Sequence, residues 1–173
     1  MAKKHSKKST AKKSTKKLGL DLLLLILSAG TFGLLALPYV KYEVSSVLGS
    51  TQSTTSGYEL LNFEANSGVA TVILLLIIFA SLLILMCVLK MLVDCGVVKN
   101  SMAGKIASFG TVCLAFAVLV MTIVNIIVIP SSCSAGGFGS YFSAGSYAGW
   151  LGLILTLVLG LGDFVVSVFS VKK

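Results

Sequence analysis

The chain has 173 residues, of which 56% are hydrophobic and only 12% charged. A soluble domain of this length cannot bury so much apolar surface, so the composition excludes an ordinary soluble globular fold. The net charge of +8 comes from 14 lysines against six acids. The long apolar runs do not alternate with polar residues as the strands of a β-barrel would. The predicted class is an all-α membrane protein, a four-transmembrane-helix bundle with a small external β-hairpin-like loop.

Residues 1–17 are predicted to form a disordered, Lys-rich cytosolic tail, because they contain too few apolar side chains to fold. The tail can act as a topology anchor, and it can also bind anionic lipid headgroups at about 1 kcal/mol per lysine. Nucleic acid is disfavoured as a partner, since no aromatic residue is interleaved to stack on bases. The lysines form four pairs, namely Lys3 and Lys4, Lys7 and Lys8, Lys12 and Lys13, and Lys16 and Lys17.

The first predicted span covers residues 18–39 and stops near Pro38. A signal peptide is the alternative, but the apolar run is about twice the usual length of such a region. An external loop, 40–68, follows. In it KYEVSSV alternates with the period of a strand, the polar GSTQSTTSG indicates a turn, and YELLNF indicates a second strand or a short helix.

The second and third predicted spans cover residues 69–93 and 105–129, and the third ends at Pro130. A second external loop, 130–146, is rich in glycine and serine, and the fourth span covers 147–171. Each span supplies the roughly 20 apolar residues needed to cross a bilayer. The aromatic residues near the outer interface are predicted to form an aromatic belt, with an aromatic ligand-binding or adhesive surface as the alternative. They are Tyr39, Tyr58, Phe138, Tyr141, Phe142, Tyr147 and Trp150.

The positions of the lysines predict the orientation. With both termini in the cytosol, 13 of the 14 lysines lie on the inner side and only Lys41 lies outside, as the positive-inside rule favours. The predicted location is the plasma membrane.

Three polar residues stand out at membrane depth: Lys90, Asp163 and Asn125. Asp163 lies nine residues before Lys172, about 13 Å from it along a helix, so its carboxylate should face the bundle and find a partner. Lys90 is the predicted partner and Lys105 the next candidate, whereas pairing of Lys90 with Asp94 is the local alternative. Asn125 is predicted to form an interhelical hydrogen bond. Asp21 is predicted to lie near enough to the surface to need no partner.

Small residues recur at every fourth position near the last span, which allows close approach of helix backbones. This pattern predicts tight packing between the third and fourth spans, with dimerisation as the alternative. The predicted stripe consists of Ala144, Ala148, Gly152, Thr156 and Gly160.

The four-span plan, with short cytosolic ends and a longer first external loop of strand character, resembles the topology of claudins. The resemblance is limited to topology, because residues 40–67 contain neither the tryptophans nor the two cysteines of the claudin loop. It therefore implies no functional residue.

The only histidine, His5, lies in the tail, and the acids are scattered. The sequence accordingly predicts no catalytic site, no metal site and no cofactor. The predicted function is a non-enzymatic multi-pass membrane protein that acts by protein or lipid contact, as a scaffold or as an organiser of an envelope or a complex. Its predicted partners are the lipid bilayer, other membrane proteins and further copies of itself. The alternative is a subunit of a transporter or channel, with Lys90, Asp163 and Asn125 facing the bundle interior.

The predicted orientation can be tested by cysteine labelling. A cysteine placed near Thr54 should react with an impermeant reagent added outside cells, and one near Ser9 should not. The reverse pattern would refute the argument from the lysine distribution.

Overall fold

The fold consists of four helices that pack as a bundle, with one sheet at one end. It is described by a computed structural model covering residues 3–46, 49–62, 67–98, 100–133, 135–138 and 142–172, with side chains described over most of these ranges. The helices are α1 (Lys3–Leu34), α2 (Ser67–Asp94), α3 (Ser101–Ser132) and α4 (Trp150–Lys172). The strands are β1 (Pro38–Ser46), β2 (Gly49–Ser56), β3 (Ala135–Phe138) and β4 (Phe142–Ala148).

Three of the helices are long and apolar enough to cross a membrane, over Gly68–Asp94, Ser101–Ser132 and Trp150–Val171. The apolar part of α1 is shorter, Leu18–Leu34, and ends before the predicted limit of residue 39. The chain instead enters β1 at Pro38, whose ring would clash inside a helix. In α3 the helix continues past Pro130 to Ser132, so the proline, which removes one helical hydrogen bond, lies in the last turn of the helix.

Helix α1 begins at Lys3, which differs from the disorder predicted over residues 1–17. Lysine and alanine are good helix formers, and residues 2–17 contain neither glycine nor proline. A segment joined to a helix that is already formed also avoids the unfavourable nucleation step. The lysine side chains of the tail lie outside the described part of the structure, so their binding to lipid stays a prediction.

The sheet is larger than the predicted hairpin, because both predicted external loops contribute strands to it. Its four strands are antiparallel in the order β2-β1-β4-β3. The polar segment predicted to be a turn is strand β2, and part of YELLNF forms a 3₁₀ helix, Glu59–Asn62. Threonines make β2 compatible with a strand, and pairing with β1 satisfies its backbone on one side. The prediction underestimated the second loop, whose glycines and serines gave no strand signal.

The buried positions of α1 and α2 recur at alternating steps of three and four residues. This heptad spacing is typical of left-handed bundles, in which the same stripe of each helix faces the common axis. Large apolar side chains cover the outside of the bundle, among them Leu85, Phe109 and Ile127. The stripe of α2 is Val69, Ile73, Leu76, Ala80, Leu83, Cys87 and Lys90, and that of α1 is Asp21, Leu24, Ser28 and Thr31.

The sheet is joined to the bundle by a contact between the start of β1 and the start of α4. The Gly149 nitrogen donates to the Tyr39 carbonyl oxygen at 2.7 Å, and Tyr39 is fully buried, so it does not belong to the predicted aromatic belt. Tyr58, Tyr147 and Trp150 are exposed. A β-carbon at Gly149 would lie 2.1 Å from the Pro38 oxygen, so only glycine allows this approach.

We expect Gly149→Ala to destabilise the protein by about 1–3 kcal/mol, the usual cost of overpacking. The matched control is Gly33→Ala, where a β-carbon would meet nothing within 4 Å and should have a neutral or favourable effect in a helix. Thermal unfolding of the two purified variants measures the difference. Equal unfolding temperatures would contradict the close approach at Gly149.

Candidate functional site

Polar side chains occupy buried stripe positions where an apolar bundle would place leucine or alanine. We call this set the polar seam: Asp21, Ser28 and Thr31 of α1, Lys90 of α2, and Thr156, Asp163, Ser167 and Ser170 of α4, all buried. A polar group that is removed from water is costly unless it is hydrogen-bonded. The contacts within the seam therefore decide how the helices fit together.

One end of the seam is an ion pair with a serine bridge. Lys90 donates to Asp21 Oδ1 and to Ser170 Oγ, and Ser170 donates to the same Asp21 oxygen at 2.5 Å. The Lys90 side chain is 5% exposed and that of Asp21 1%. Three helices thus meet at a pair of charges that neutralise each other, and burial makes the loss of either partner expensive.

The next polar contact joins Asp163 of α4 to Ser28 of α1. Asp163 Oδ1 lies 3.0 Å from Ser28 Oγ, and Ser28 Oγ also lies 2.9 Å from the Leu24 carbonyl oxygen. Asp163 is completely buried, and its Oδ2 has no hydrogen-bond partner among the described residues. Within the described part of the chain, no cation lies within ion-pair distance of this carboxyl group.

The Asp21–Ser170 contact and the Ser28–Asp163 contact follow from one register of α1 against α4. Asp21 and Ser28 are seven residues apart on α1, and Asp163 and Ser170 are seven apart on α4. Seven residues are two helical turns, about 10.5 Å, so antiparallel helices that pair Asp21 with Ser170 also pair Ser28 with Asp163. The matched spacing makes the seam a repeated contact between α1 and α4.

At the sheet end, Thr156 extends the seam to β1. Tyr39 Oη lies 2.5 Å from Thr156 Oγ1, whose own proton is donated to the Gly152 carbonyl oxygen at 2.7 Å. Tyr39 is therefore the donor of the pair. Burial raises the pKa of the Tyr39 phenol, which keeps the proton that this bond requires.

The pairing predicted between Asp163 and Lys90 is wrong. Lys90 binds Asp21, a residue predicted to lie near the surface. Asp21 is instead buried, because α1 turns that position towards Lys90 and Ser170. The hydrogen bond predicted for Asn125 is not found among the described residues. Asn125 is buried in α3, but neither its Oδ1 nor its Nδ2 has a partner among the described residues. Lys105, the other candidate partner, is exposed.

The predicted small-residue stripe is only partly helical. Ala144 and Ala148 lie in β4, where they pair with β1, because α4 begins at Trp150. The remaining members lie on α4, and two of them contact different neighbours. A β-carbon at Gly160 would lie 2.9 Å from Thr122 Oγ1 of α3, whereas one at Gly152 would lie 3.2 Å from the Pro38 oxygen. Close packing of α3 and α4 thus occurs at Gly160.

Two features of the seam could have been found in the sequence. Asp21 with Ser28, and Asp163 with Ser170, share the spacing of seven residues that antiparallel pairing requires. The rest depends on which helices are neighbours, which the sequence does not show.

The seam is not arranged as a metal centre. Among the described residues, no group of three or more His, Cys, Asp and Glu side chains is placed to hold a metal ion. Its chemistry is that of charge pairing and proton donation between hydroxyl, carboxyl and ammonium groups.

Comparison with known proteins yields no relative that could assign a role to these residues. No protein-family model matches the chain, and no curated protein sequence matches it.

Double-variant analysis can test the ion pair. Asp21→Leu and Lys90→Leu should each destabilise the protein, by about 3–5 kcal/mol if the remaining charge stays buried. The double variant should recover most of the loss, because neither charge then lacks its partner. Thermal unfolding in the same detergent or lipid gives all three values.

The control combines Lys90→Leu with Asp163→Leu. These residues share no hydrogen bond, so their effects should add to within roughly 0.5 kcal/mol. If the Lys90 and Asp163 double variant recovered its stability while the losses from the Asp21 and Lys90 variants were additive, the pairing that the structure shows would be contradicted.

Proposed function

We propose that this chain is a multi-pass protein of the plasma membrane, with four spans and both termini in the cytosol. Its three long apolar helices support insertion, as does the placement of large apolar side chains outside and of polar ones inside the bundle. Such an arrangement suits lipid, where interior polar contacts bind helices together. The apolar segment of α1, Leu18–Leu34, is 17 residues long and falls within the range of about 17–25 residues that can span a bilayer.

We further propose that the protein acts by contact and not by catalysis, and that the sheet is its contact surface. The observation that carries this proposal is the open edge of β2. This strand pairs with β1 on one side and is the terminal strand of the sheet on the other. Exposed edges pair readily with a strand of another protein.

The composition of β2 strengthens the argument. Gly49–Ser56 reads GSTQSTTS, without a charged residue or a proline, whereas sheet edges that avoid partners usually carry lysine, proline or a bulge. Residues Gly49 to Thr54 are exposed. The joint at Tyr39 and Gly149 ties the sheet to the helices, so a partner bound at the edge would be held at a fixed position above the membrane.

The test is site-specific photocrosslinking in native membranes. A photoreactive side chain at Gln52 in β2 should give discrete crosslinked products, whereas one at Val97, exposed at the opposite end of the bundle, should not. Adding Ser53→Lys to the Gln52 probe should abolish the products, because a lysine discourages pairing at an edge. Ser53→Thr, which introduces no charge, should retain them.

A second candidate function is a subunit of a transporter or channel. It is favoured by the burial of Lys90, Asp163 and Asn125, since intramembrane polar residues often mark ion or proton pathways. If Gln52 gives no products while proteoliposomes of the wild-type protein pass protons and those of Asp163→Asn do not, this candidate replaces the first.

A further inference from the structure

The two hydrogen-bond contacts of Ser28 limit where the protons of the polar seam can lie. A serine hydroxyl has one proton to donate, yet Ser28 Oγ lies within hydrogen-bond distance of two oxygens, Leu24 O at 2.9 Å and Asp163 Oδ1 at 3.0 Å. The Leu24 carbonyl oxygen can only accept. If Ser28 donates to it, as serines in helices commonly do four residues back, the second contact needs a proton from Asp163.

The charges around Asp163 lead to the same requirement. Lys90 is the cation of the seam, and its charge is neutralised by Asp21, which lies two helical turns from Ser28 along α1. An ionised Asp163 would be a fully buried charge with one serine contact and one oxygen, Oδ2, lacking any partner among the described residues. An isolated buried charge costs far more than a neutral polar group.

The other elements that pack around Asp163 do not change this balance. The α1 helix presents Asp21 and Ser28, and α2 presents Lys90 and the Cys87 thiol, which lies within electrostatic range of Asp163. The described buried residues of α3 include no titratable side chain.

We propose that Asp163 is a proton-binding site. The carboxyl group carries its proton on Oδ1 at neutral pH and donates it to Ser28 Oγ, and Ser28 in turn donates to the Leu24 carbonyl oxygen. The ligand is a single proton, and the binding step is protonation of the carboxylate to a carboxylic acid. This site is separate from the contact surface at β2, and it exists whether the protein acts by contact or by transport.

The measurement is solid-state NMR of the full chain in lipid bilayers, with carbon-13 at the aspartate carboxyl carbon. The sequence contains three aspartates, Asp21, Asp94 and Asp163, so three signals are expected. Asp94→Asn, at an exposed site, and Asp163→Asn assign two of them. At pH 7 the Asp163 signal should have the chemical shift of a carboxylic acid, and those of Asp21 and Asp94 the shift of a carboxylate.

Serine variants test the donor–acceptor chain and remain informative if Asp163→Asn does not fold. Ser28→Ala removes the acceptor and should shift the carboxylic acid signal, leaving the Asp94 signal unchanged. The matched control is Ser167→Ala, four residues from Asp163 on the same helix, whose hydroxyl donates to the Phe164 carbonyl oxygen at 2.7 Å. It should leave the signal in place.

A carboxylate shift for Asp163 at pH 7, with or without sodium or potassium in the buffer, would overturn the proposal. The same conclusion would follow if Ser28→Ala and Ser167→Ala had equal effects on the acid signal. Neither result depends on crosslinking at Gln52, so failure of the proton site and failure of the contact function are distinguishable.

Discussion

Burial of the Lys90 ammonium group is the constraint on which the rest of this bundle depends. A buried charge needs a partner of opposite sign, and Asp21 supplies it, with Ser170 hydrogen-bonded to both. These three residues lie on three different helices. The contact therefore fixes the positions of α1, α2 and α4 along their axes and their rotation about those axes. Packing between apolar side chains alone would specify both less strictly.

Once that height is fixed, the remaining polar contacts follow from helix geometry. Two turns further along, the same pair of helices brings Ser28 to Asp163, and beyond that Thr156 meets Tyr39 at the base of the sheet. Gly149 and Gly152 let the backbone of β1 approach α4 closely. The sheet is thus tied to the bundle through the same helix that carries Asp163, so a change at the seam has a direct structural route to the sheet.

Large apolar side chains cover the outside of the bundle, whereas carboxyl, hydroxyl, amide and ammonium groups are buried inside it beside the apolar core. In the proposed membrane setting the interior polar groups act as specific contacts between helices, because lipid competes for none of them. The unsatisfied amide of Asn125 and the second oxygen of Asp163 show that this satisfaction is incomplete within the described residues. Ionisable residues at membrane depth are rare, and they often mark functional positions.

The sequence by itself determined that long apolar helices exist and roughly where they begin and end, because apolar runs of this length are visible without knowledge of neighbours. It also indicated that Lys90, Asp163 and Asn125 would be buried, because charged and amide groups are rare in such runs. The strands in GSTQSTTS and in the second external loop were not predicted, because they form by pairing with β1 and not through local propensity. The partner of Lys90, the role of Asp21 and the proton count at Ser28 were decided by tertiary structure alone. Each depends on which helices are neighbours. Hydrophobic periodicity does not reveal this here, because the outer faces of the helices are apolar as well.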